Sequence, residues 1–155
     1  MKILNQSLRA KRSNLCQVTD CFVAEFTPRI VAGLLAMTVK ADPRFLKGLH
    51  LFNEKEYFEC HEVIEALWLV TPSDDGYRDL YKGVIQAAAS LYQFDRGVLS
   101  GANGLCKSAL GYLAKYRPRA LGLNVERLIE EMDAFYQNPA KQARPVLEFE
   151  EQEVE

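Results

Sequence analysis

The sequence predicts an all-α protein, a compact bundle of about five helices built from antiparallel hairpins. Three observations predict it. From Asp42 onward, apolar residues recur every three or four positions in five separate stretches, the period of a helix with one buried face. No stretch alternates apolar and polar residues over a strand's length, so no sheet is expected. The connections between stretches are short, which favours antiparallel neighbours.

The elements follow in order. "DPRFLKGLHLFN" offers Asp42 as N-cap and Pro43 at the first helical position, with Phe45, Leu46, Leu49 and Phe52 as its apolar residues. "EKEYFECHEVIEALWLV" is a second helix, stopped at Thr71-Pro72 because a residue before proline is pushed out of helical conformation. "TPSDDG" is a loop. "YRDLYKGVIQAAASLYQFDRG" is a third helix, alanine-rich in its middle and ended near Gly97. "SGANGLCKSALGYLAKY" is a fourth, stopped by Arg117-Pro118. "NVERLIEEMDAFYQN" is a fifth, with Asn124 as cap and Pro139 beyond its end. The bundle domain therefore spans 41–139. Residues 140–155 carry five glutamates in their last eight positions and are expected to form a mobile acidic tail.

Residues 1–40 look foreign to this pattern. "MKILNQSLRAKRSNLCQ" is basic, with no acidic residue before Asp20. "IVAGLLAMTV" is apolar or small throughout but too short to span a bilayer. Asp20 and Glu25 precede it, unlike the basic leader of a signal peptide. The segment is read as an N-terminal extension, with Met37 as an alternative start.

Composition narrows the function classes. A chain of 155 residues suits one domain with a sizeable core. The net charge of −2 asks for neither nucleic acid nor membrane as partner. The one basic cluster in the bundle, "KYRPR", sits at a helix C-terminus, where cations complement the helix dipole. Cys16, Cys21, Cys60 and Cys106 form no CxxC and no zinc spacing, and a reducing cytoplasm is the expected home. Neither a glycine-rich phosphate loop nor a nucleophile elbow is present.

The unusual chemistry lies in "YFECHEVIEALW", residues 57–68. On a helical wheel Tyr57, Cys60, Ile64, Leu67 and Trp68 share one arc, and His61 and Glu65 fall inside it. The two are one turn apart and should point the same way, into the bundle. A buried carboxylate needs a partner, and His61 is the nearest candidate. Trp68 would bring an N–H that needs an acceptor if buried. Three readings follow. The residues form a polar network that locks helix register. Or they line an inter-helix pocket in which His61 acts as acid, base or ligand and Glu65 orients it. Or the face is exposed and used in a homo-oligomer.

Sharper chemistries find less support. "HEVIE" resembles the HExxH zinc motif, but Glu65 stands where the second histidine belongs. His50 is the only other imidazole, and Asp79 and Asp95 are weak further candidates beside His61 and Glu65 as metal ligands. Cys60 adjoins His61, yet helix neighbours point about 100° apart, so Cys60 is read as packing.

"GLHLFNEKEYFECHEVIEALW" followed by "YKGVIQAAASLYQFDRGVLSGA" closely resembles the prokaryotic family catalogued as domain of unknown function 309. The resemblance covers about residues 42–137. It rests on Phe52, Asn53, Tyr57, Phe58, Glu59, His61, Glu62, Glu65, Trp68, Gly83, Gln86, Gly101 and Ala102. It implies a compact helical bundle and a site on the histidine-tryptophan helix, but no activity. Lys55 stands where the family's turn usually has glycine. Gln86 shares a side with Lys82 and Gln93, away from Leu80, Val84 and Leu91, which reads as surface; the resemblance turns it towards the site.

The expectation is a cytoplasmic helical binding module. Its polar pocket of His61, Glu65, Trp68, Tyr57 and Gln86 would take a small ligand or a partner's side chain, with cofactor unknown. The rivals are an enzyme, for instance a metal-assisted hydrolase using His61 with Glu62 or Glu65, and a structural homo-oligomer with a buried histidine-glutamate pair.

Overall fold

The computed structural model describes residues 40–150. The N-terminal extension, its alternative start and the last five residues lie outside the described residues. Among the described residues five α-helices follow one another: α1 Pro43–Asn53, α2 Tyr57–Val70, α3 Arg78–Asp95, α4 Leu99–Leu113 and α5 Val125–Gln137. From α1 to α4 each helix packs extensively on the next, and α5 completes the series on α4. The expected all-α bundle is present. Among the described residues, no helix is long and apolar enough to cross a membrane.

The caps explain the boundaries. The Asp42 carboxylate accepts from the Arg44 N–H at 2.8 Å, and Pro43 opens α1. The Asn124 side chain accepts from the Arg127 N–H at 3.1 Å to start α5. The core draws Phe45, Leu49 and Phe52 from α1, Ile64 from α2, Leu80, Val84 and Leu91 from α3, Leu113 from α4 and Leu128 and Met132 from α5. Gly48 and Gly83 let helices approach closely. A Cβ on Gly48 would overlap the Ile64 side chain, and one on Gly83 would lie 2.8 Å from Leu113 Cγ.

α1 ends in a Schellman motif. The Glu56 N–H donates to the Leu51 carbonyl at 2.9 Å and the Lys55 N–H to the Phe52 carbonyl at 3.0 Å. Lys55 adopts the left-handed conformation this requires, with φ 66°. That is the physical reason for a glycine at this turn: a Cβ there costs roughly 1 kcal/mol. Lys55→Gly is therefore expected to stabilise the protein by about 0.5–1 kcal/mol, read as a higher urea midpoint at unchanged slope. A lower midpoint would contradict this account of the turn.

One small sheet departs from the expectation of none. β1 (Arg119–Ala120) pairs antiparallel with β2 (Leu123–Asn124). Two-residue strands are too short to show alternation. The turn between them has positive φ at Leu121 and Gly122, as a tight hairpin demands, but Leu-Gly is not a recognisable hairpin signal.

Residues 140–150, expected from their acidic end to begin a mobile tail, run back over the bundle. The Asn53 side chain donates to the Leu147 carbonyl at 2.9 Å and accepts from the Leu147 N–H at 2.7 Å. Leu147 is buried, and the Glu131 carboxylate accepts from the Val146 N–H at 2.8 Å. Arg144 pairs with Asp95, and Arg127 pairs with Glu148 at 2.5 Å. That guanidinium holds the Glu148 carboxyl below its ordinary pKa.

Candidate functional site

The site lies between α2 and α3, which run antiparallel. A cavity of about 180 Å³ opens there, lined by Tyr57, Phe58 and His61 from α2 and by Ala89, Tyr92 and Gln93 from α3. The spacing Tyr57-Phe58-His61 puts three rings on one helix face. Ala89 supplies no bulk opposite them, so the helices do not close the gap.

The rings form a tilted wall. Phe58 lies 5.6 Å from Tyr92, centroid to centroid, at 44°, and 6.4 Å from His61 in a nearly parallel stack. Tyr57 sits deepest, 3% exposed, and packs edge-on against Phe52 at 5.4 Å. Burial pushes its phenol pKa up. Phe58, 45% exposed, forms the outer lip.

His61 and Glu65 meet as the helical spacing predicts, with Nε2 and Oε2 3.8 Å apart. Their depth differs from expectation. The side chains are 30% and 42% exposed, and no hydrogen bond joins them. The core-facing residues of α2 are Tyr57, Cys60, Ile64 and Leu67; His61, Glu65 and Trp68 lie on the border of that arc, and His61 lines the gap that Ala89 leaves. The pair is therefore not a desolvated lock. His61→Ala is expected to change stability by no more than about 1 kcal/mol in chemical denaturation; a loss of several would restore the register-lock reading.

Trp68 does not join this pair. Its ring is stacked by Arg78 at 4.2 Å and Lys82 at 4.3 Å. Arg78 also donates to the carbonyls of Trp68 and Thr71, closing the end of α2. Gln86 lies on the α3 stripe between Lys82, which meets Trp68, and Ala89, which lines the cavity. The stripe that reads as surface thus faces α2. Three side-chain atoms here are buried without a hydrogen-bond partner: the Tyr57 hydroxyl, His61 Nδ1 and Gln86 Oε1. Glu62 is exposed one turn from Phe58.

Metal chemistry gains no geometry. Among the described residues no three His, Cys, Asp or Glu side chains come close enough to share an ion. Asp79 pairs with Lys115 at 2.6 Å, and Asp95 with Arg144. Cys60 and Cys106 are buried, and burial pushes their thiols up to about 12 and about 11, which suits packing and not nucleophilic attack. Ala89, Tyr92 and Gln93 escaped sequence reasoning. Their signal was the Lys82–Gln86–Ala89–Gln93 spacing, one helical stripe with a small residue in it.

Residues 45–105, which hold the whole cavity lining, match the family described as Domain of unknown function (DUF309). The chain is 36% identical over 85 residues to "Uncharacterized protein YpuF" of Bacillus subtilis (strain 168), covering 54% of this chain and 48% of that protein. The chain thus spans about half the length of this curated relative.

Proposed function

We propose that this chain, which carries a DUF309 domain over residues 45–105, is a helical binding module whose α2–α3 groove admits one side-chain-sized group from a small molecule or a partner. The observation that carries this reading is the aromatic-walled cavity itself, about 180 Å³ with the buried, unpartnered hydroxyl of Tyr57 on its lining residue. Well-packed helix pairs leave few voids larger than a water molecule. A buried polar atom without a partner is costly, and a ligand group offers it one. At this volume the groove suits a fragment or a single side chain, below the several hundred Å³ typical of drug-sized ligands.

The test is amide NMR with a library of small ring and chain compounds. Shifts are expected at Phe58, His61, Ala89, Tyr92 and Gln93, and Ala89→Leu, which fills the groove from α3, should abolish them. Compounds that bind elsewhere, or bind equally well to Ala89→Leu, would sink the reading.

A further inference from the structure

We infer that the groove's occupant is cationic: the aliphatic ammonium side chain of a lysine on a protein partner, held between the rings of Phe58, His61 and Tyr92 and the Glu65 carboxylate. This rests on the binding reading above and names the partner's chemistry.

The rings suit a cation. Aromatic faces attract cations within about 6 Å of the ring centroid, and cages of several rings are used to hold ammonium groups. Phe58 lies 5.6 Å from Tyr92 and 6.4 Å from His61, so a cation at the Phe58 lip has a further ring on either side of it. The chain itself already sets a cation against one of these rings. The Arg96 guanidinium lies 5.5 Å from the Tyr92 centroid and donates to its hydroxyl at 2.9 Å.

The nearby charge is negative. The Glu65 carboxylate stands 3.8 Å from Nε2 of His61, which lines the cavity. Glu62 sits one turn from Phe58, and no basic side chain among the described residues pairs with it. A neutral group would leave these carboxylates unused. An ammonium on a four-carbon stem buries the stem against the rings and keeps its charge at the carboxylate edge. A partner's lysine is favoured over a free amine by what surrounds the groove. Phe58 is an exposed lip, and the exposed Val98 and Leu99, where α4 begins, lie at the same end of the bundle as the start of α2. These apolar shoulders suit a surrounding protein contact.

The experiment titrates the full chain with three probes at matched ionic strength, following amides by NMR: lysine blocked at both its amino and carboxyl ends, n-butylammonium chloride and 1-pentanol. Blocked lysine is expected to shift Phe58, His61, Ala89, Tyr92 and Gln93, at least as strongly as butylammonium. Both should bind about three- to tenfold more tightly than 1-pentanol. Glu65→Gln should erase most of that preference while leaving 1-pentanol binding in place. If 1-pentanol binds as well as the ammonium probes, the groove exists and the cationic inference fails. If butylammonium binds and blocked lysine does not, the partner assignment is overturned. If no probe moves these amides, the groove reading falls as well.

Discussion

Phe52→Ala is expected to destabilise the domain by about 3–5 kcal/mol. Phe52 is fully buried at the end of α1. Its removal loses the transfer energy of the ring and leaves a cavity that the surrounding helices fill only in part. The loss is a large share of the roughly 5–15 kcal/mol that holds a domain of this size folded. It also reaches the groove. Phe52 meets Tyr57 edge-to-face at 5.4 Å, so the deepest residue of the cavity loses its support. Urea unfolding should show a much lower midpoint, and the amides of Tyr57 and His61 should shift even where the protein is folded. A midpoint change worth less than about 1 kcal/mol would mean that the end of α1 is not packed as described.

Asn53→Ala, at the next position, should cost about 2–3 kcal/mol for a different reason. Asn53 faces Leu147 and satisfies both its backbone N–H and its carbonyl, at 2.7 and 2.9 Å. Alanine leaves both without that partner in a partly buried place, where an unmade hydrogen bond costs more than a made one returns. The Leu147 amide should exchange about 30-fold faster or more, and residues 140–150 should become susceptible to limited proteolysis. Unchanged Leu147 exchange would show that the ion pairs of Arg127 and Arg144 with Glu148 and Asp95 hold the segment by themselves.

These two neighbours illustrate what a sequence makes legible. Phe52 belongs to a helical period, and period, caps and prolines are local signals; they place all five helices. Asn53 acts on a residue 94 positions away. Nothing within reach of either residue announces that contact, so the docking of residues 144–150 had no sequence signature. The site divides in the same way. That His61 and Glu65 share a face follows from spacing within one helix. How deep they sit depends on the facing helix: with Ala89 opposite, His61 lines a groove, and the expected buried pair is part-exposed. Trp68 lies on the expected arc, but Arg78 and Lys82 from α3 take its ring faces. Lys55 is the reverse case. A glycine position inferred from family resemblance proves to be a left-handed turn, here occupied by a residue that tolerates it at a cost.

The clasp between Asn53 and Leu147 also sets an order of assembly during synthesis. From α1 to α3 each helix packs most on its successor, so each hairpin can form as soon as its second helix leaves the ribosome, through contacts close in sequence. The clasp cannot, because its partner emerges 94 residues later. Until then the end of α1, and the turn that leads into the groove-lining helix, carry no cover. A nascent chain halted after α4 would therefore present the aromatic groove before residues 144–150 have docked on the end of α1.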